Sequence, residues 1–115
     1  MANTFKVVTK AGVTSADVIY TAGSGVTAIV LGLILGNTTT SQITSTVTLT
    51  SDTSSRAGAN NEDNQAVELI TDAPIPAGSS LELLSGNKVV LETTDTISVT
   101  GSGATDVALS IMEIT

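Results

Sequence analysis

Residues 72–99, DAPIPAGSSLELLSGNKVVLETTDTISV, decide the fold class. Pro74 and Pro76 fix φ and lack amide donors, which suits an irregular extended crossing or an edge and excludes a central strand. Ala77-Gly78-Ser79-Ser80 turns the chain into a strand over Leu81–Leu84. Ser85-Gly86-Asn87 is a turn signal into a second strand, Lys88–Glu92, because Gly and Asn tolerate positive φ. Thr93-Thr94-Asp95 turns again into Thr96–Thr100. Short strands with tight turns between them specify an all-β chain.

The rest of the sequence agrees. Thr4–Lys10 predicts a first strand, ended by Ala11-Gly12, and Asp17–Thr21 a second, followed by the turn Ala22–Gly25. Val26–Gly36 (VTAIVLGLILG) is the most apolar segment. Its flanking and internal glycines favour a strand, bulged at Gly32. Strict alternation would set Ile29, Leu31, Leu33 and Leu35 on one face and Val26, Ala28, Val30 and Ile34 on the other. Gln42–Thr50 alternates Ile43, Ser45, Val47 and Leu49 with threonines, the pattern of a half-buried strand with one wet face. Gln65–Thr71 is a further strand. Asp106–Ile114 alternates Val107, Leu109 and Ile111 with Ala108, Ser110, Met112 and Ile114, and so is apolar on both faces. Turn residues recur about every ten positions, which predicts a single-domain antiparallel β-sandwich or jelly-roll-like barrel of about eight or nine strands.

Composition bounds the function. The 115 residues form one domain, 1–115, with 41% hydrophobic but only 2% aromatic residues, so the core is built from Val, Ile, Leu and Ala. Eleven acidic against four basic residues give a net charge of −7. That charge repels phosphate backbones, and the scarcity of aromatics removes base-stacking platforms, so nucleic acid is excluded as a partner. No Cys and no His are present, which removes disulfides, the usual zinc sites and the usual triad base. MANTFKVVTK has no apolar signal core, and Val26–Leu35 is too short to span a bilayer, so no membrane partner is expected.

Little chemistry is encoded. Asp52, Glu62, Asp63, Asp72, Asp95 and Asp106 read as scattered solvated acids. Lys6, Lys10 and Lys88 have no flanking motif for serine–lysine chemistry, and Gly23-Ser24-Gly25 and Gly101-Ser102-Gly103 lack the lysine and helix of a phosphate loop. The polar loop 51–64 gathers Asp52, Asn60, Asn61, Glu62 and Asp63, oxygen donors suited to calcium. Their spacing matches no EF-hand, and the loop reads as a hydrophilic surface segment with no cofactor. Asn37-Thr38-Thr39 fits the glycosylation sequon, a pattern too short to carry weight. No catalytic residue, metal ligand or cofactor is expected, and the chain reads as no enzyme.

Three stretches carry a resemblance: MANTFK at the start, PIPAGSSLELL followed by GNKVVLETTDTISV, and ALSIMEIT at the end. In these the chain resembles small virion structural proteins of tailed bacteriophages, of the marine and cyanobacterial type. The resemblance implies a capsid decoration (cement) protein that binds the major capsid protein lattice and stabilises the head, on the head surface of the phage particle. A neck, tail or fibre component, or a host-surface-binding β-sandwich module, is the alternative. It also implies a homotrimer.

The two doubly apolar strands independently predict a homo-oligomer, since a two-layer sandwich covers only one face of each. Residues 1–10 hold Lys6 and Lys10 and no acid, which marks them either as a docking arm or as the first strand of the domain's own sheet. The candidate partner-binding residues are therefore Phe5, Lys6, Lys10, Leu31, Leu33, Leu109, Met112 and Ile114.

Overall fold

The structure is a computed structural model that describes residues 2–51, 65–84, 86 and 88–115. Among the described residues nine strands run β1 Asn3–Val13, β2 Asp17–Thr21, β3 Thr27–Asn37, β4 Ile43–Thr50, β5 Ala66–Ile75, β6 Ser80–Leu83, β7 Val89–Leu91, β8 Thr96–Gly101 and β9 Thr105–Ile114. They form two antiparallel sheets. Sheet A has the order β1-β9-β3-β6 with β7 also on β3, and sheet B the order β2-β8-β4-β5. The chain changes sheet at every connection except β4–β5 and β6–β7, the double Greek-key path of a jelly roll. The all-β sandwich expected from the turn spacing is what forms.

The interior is aliphatic, as the composition requires. Val30, Leu33, Leu35, Leu109 and Ile111 from sheet A meet Val47, Ile75, Ile97 and Val99 from sheet B, all fully buried. Val107, Leu109 and Ile111 share the inner face of β9, as their alternation predicts.

Two expectations are corrected and one choice is decided. The bulge at Gly32 exists as a register shift between Val30 and Gly32 against β9. Its extra residue inverts the alternation, so Ala28 and Val30 point inward together with Leu33 and Leu35. The strict-alternation face assignment thus fails halfway along the strand. Of the two readings of the proline segment the edge is what forms: Asp72–Ile75 is the end of β5, where Pro74 pairs opposite Thr44 on an edge strand that tolerates its missing donor. Finally, Ala11-Gly12 does not end β1, because Gly12 takes φ +66° within the strand and the pairing resumes at Val13.

The first two strands expected within residues 72–99 do not pair as a hairpin. β6 and β7 both run antiparallel to β3 on the same edge, β6 against Leu33–Gly36 and β7 against Ala28–Val30. Ser85 and Asn87 of the expected turn lie outside the described residues.

Buried polar groups fix the corners. Asn37 is buried, and its Nδ2 donates to the carbonyls of Ser41 (2.8 Å) and Ile75 (2.9 Å) while its Oδ1 accepts from the Thr39 amide (2.8 Å) and hydroxyl (2.7 Å). The side chain of the sequon is thus consumed in joining the β3–β4 turn to the end of β5. Gly101 closes another corner. A Cβ there would stand 2.5 Å from Thr105 Oγ1 and 2.6 Å from the Val13 carbonyl, so only glycine fits.

Candidate interaction face

Cross-strand register assembles the outer face of sheet A. Phe5 on β1 sits opposite Met112 on β9, Met112 opposite Ile29 on β3, and Ile29 opposite Val90 on β7. This is one apolar row across four strands. The next outward positions along β1, β9 and β3 are Val7, Ser110 and Gly32, then Thr9, Ala108 and Ile34, the last flanked by Glu82 of β6. Phe5, Val7, Ile34 and Val90 are all exposed, Phe5 by 71%. Such a contiguous apolar surface is costly to leave in water.

At the far end of this face lies a hollow of about 360 Å³, lined by Thr9, Lys10, Ala11, Ile34, Asp106 and Ala108 among others. The Asp106 carboxylate at its rim accepts from the Gly12 amide at 2.9 Å, which ties down the irregular end of β1.

The candidate residues fall into separate places. Phe5, Met112 and Ile114 belong to the outer face, and Leu31 lies half-buried at the bulge. Leu33 and Leu109 are fully buried between the sheets, so neither side chain can meet a partner. Both corrections have one cause: a strand apolar on both faces does not reveal which face turns inward. Ile29, Ile34, Val7 and Val90 belong to the face and were missed, because only pairing brings them beside Phe5 and Met112. Thr4–Lys10 is paired along β9 as part of the domain's own sheet.

The basic candidates do different work. Lys10 stands at the hollow. Lys6 Nζ lies 2.7 Å from Glu113 Oε1, and the Tyr20 hydroxyl donates to Glu113 Oε2 at 2.6 Å. Tyr20 comes from sheet B and Glu113 from sheet A, so this triad bridges the two layers. Hydrogen bonds from Lys6 and then Tyr20 hold the Glu113 carboxyl below the usual carboxylate range. Burial, reinforced by the hydrogen bond to that carboxylate, pushes the Tyr20 phenol above its ordinary value.

In fold, the chain has a solved counterpart. It is similar over 99% of its length, and over 87% of the other chain, to a structure from work describing Bacillus endospore appendages as a novel family of disulfide-linked pili, with a TM-score of 0.51 and 15% identity. No family model matches the chain, and no curated protein matches it. At that identity the likeness concerns the fold. Asp52, Asn60, Asn61, Glu62 and Asp63, the oxygen donors considered for calcium, lie outside the described residues. Among the described residues no cluster of three or more acidic groups could hold a metal.

Proposed function

We propose that this chain is a non-enzymatic structural subunit that works in many copies, associated with itself and with a larger particle. The observation that carries this reading is the apolar outer face of sheet A, a surface suited to protein contact and to no chemistry. The titratable cluster of Lys6, Glu113 and Tyr20 supports it, because its carboxylate is engaged on both oxygens, by Lys6 within sheet A and by Tyr20 across to sheet B. A fold shared with a chain from pili is consistent with repeated assembly. This chain has no cysteine, so its own contacts would be non-covalent.

The resemblance to tailed-phage proteins supports the finer reading, a capsid decoration protein on the head surface that binds the major capsid protein lattice. Several weak footholds on one lattice add through effective concentration, so no single contact needs to be strong. A tail or fibre subunit is the second reading, favoured by the pilus chain of similar fold. The trimer is the assembly the phage resemblance implies.

Electron microscopy of particles carrying a tagged chain tests both. Density over the capsid lattice is expected for a decoration protein, and density along the tail for the second reading. A chain absent from particles, and monomeric in sedimentation at every concentration, would overturn the structural-subunit reading.

A further inference from the structure

The outer face of sheet A carries a knob and a hole on the same strand. Phe5 is the most exposed large hydrophobic side chain among the described residues. Along β1, past Val7, the face opens at Thr9–Ala11 into the hollow of about 360 Å³. An enclosed apolar cavity of about 150 Å³ holds a benzene ring, so this hollow, open on its outer side, has room to receive a phenyl group from a facing molecule.

We propose that the chain pairs with a second copy of itself through these faces, each Phe5 seated in the partner's hollow. The proposal rests on the self-associating reading above and specifies its surface. The symmetry element is a two-fold axis lying between the copies and running across the strands. Such an axis reverses position along each strand, so the Phe5 level of one copy meets the hollow of the other, twice. It lies between the levels of Val7 and Thr9, beside Ser110 and Gly32, whose small side chains allow the sheets to approach. The contact is isologous and closes on itself.

Charge and area both favour a second copy as the occupant. On the opposite edge Glu82 is level with Ile34, while Lys88 precedes Val89, the partner of Val30, and so stands level with the Gly32 bulge. The same axis exchanges those levels and sets Glu82 of each copy toward Lys88 of the other. A chain of net charge −7 thus meets itself here without stacking carboxylate on carboxylate. Four strands about 4.8 Å apart and about eight residues long present about 500 Å² per copy, or about 1,000 Å² in total. That reaches the lower bound of a specific interface.

The absence of native cysteine permits a direct test. Val7→Cys, close to the axis, is treated with a short bis-maleimide, with Val18→Cys on sheet B as the control. A covalent dimer from Val7→Cys alone is expected. Phe5→Ala should raise the dimer dissociation constant at least about tenfold in sedimentation, the loss of a buried aromatic anchor. Glu82→Lys and Lys88→Glu should each weaken the pair, and the double variant should restore it. This charge exchange decides the matter if Phe5→Ala fails to fold. Oligomers that persist without Val7 crosslinking, or that ignore both Phe5→Ala and the charge exchange, would overturn the surface and leave self-association standing. A monomer at every concentration would overturn both.

Discussion

The two outer faces of this sandwich differ in chemistry: apolar across four strands of sheet A, hydroxyl-rich on β4 and β8 of sheet B with Val18 of β2 beside them. On sheet B the outward positions of β4 are Thr44, Thr46 and Thr48, with Thr100 opposite Thr46 and Ser98 opposite Thr48. The Thr46 hydroxyl accepts from the Asp72 amide at 3.0 Å, and the β-branched carbons of the threonines favour the pleat. On sheet A the corresponding surface is Phe5, Met112, Ile29, Val90 and Ile34. Both sheets bury equally aliphatic inner faces, so core formation does not account for the difference. The proposed contact rests on that apolar outer surface.

The edges differ as well. β5 carries Pro74, a positive φ at Asp72 and shifts of register against β4, all of which blunt an edge against further pairing. β1 pairs without interruption from Asn3 to Lys10. The β1 edge of sheet A is therefore regular, whereas its other edge is split between β6 and β7 and the β5 edge of sheet B is blunted.

The largest expected effect separates inside from outside on one strand. Leu33→Ala should cost about 3 kcal/mol in denaturant unfolding, because Leu33 is fully buried. Leu31→Ala, two residues away at the bulge, should cost about 1 kcal/mol or less. Equal costs would mean that the bulge does not invert the alternation. The next tests the faces against each other. Met112→Asp should weaken self-association at least about a hundredfold by sedimentation, whereas Thr48→Asp should change it by less than about twofold. Comparable effects would erase the distinction between the sheets.

A smaller effect concerns the bridge between them. Tyr20→Phe removes a hydrogen bond to a charged acceptor and should cost about 1–2 kcal/mol at neutral pH. The pH dependence has two limbs. Glu113 titrates lower in the folded state, so its contribution is present above the usual carboxylate range and is lost as pH falls through the depressed value. Tyr20 titrates higher when folded, so its contribution is full below about pH 10 and declines as pH rises beyond it. Wild type and Tyr20→Phe should therefore converge in alkaline unfolding curves. The smallest effect is at Ser45, whose buried hydroxyl has no hydrogen-bond partner among the described residues. Ser45→Ala should leave stability unchanged or raise it by up to about 1 kcal/mol. A marked loss would show that the hydroxyl is satisfied in solution.

Period-two patterning, turn residues and the lack of aromatic, cysteine and histidine side chains were enough to determine an aliphatic all-β sandwich. They also located most strands, the Gly32 bulge and the wet threonine face of β4. Alternation in Asp106–Ile114 correctly grouped Val107 with Leu109 and Ile111, and Met112 with Ile114. It did not reveal which group was the core, since both were apolar, and so Leu109 stood among the contact residues although it is buried. Only the tertiary structure decided that. Which face turns inward depends on the sheet stacked against it. Which side chains then form one outer surface depends on register between strands far apart in sequence: Phe5 meets Met112, and Met112 meets Ile29, through backbone hydrogen bonds that no local pattern records.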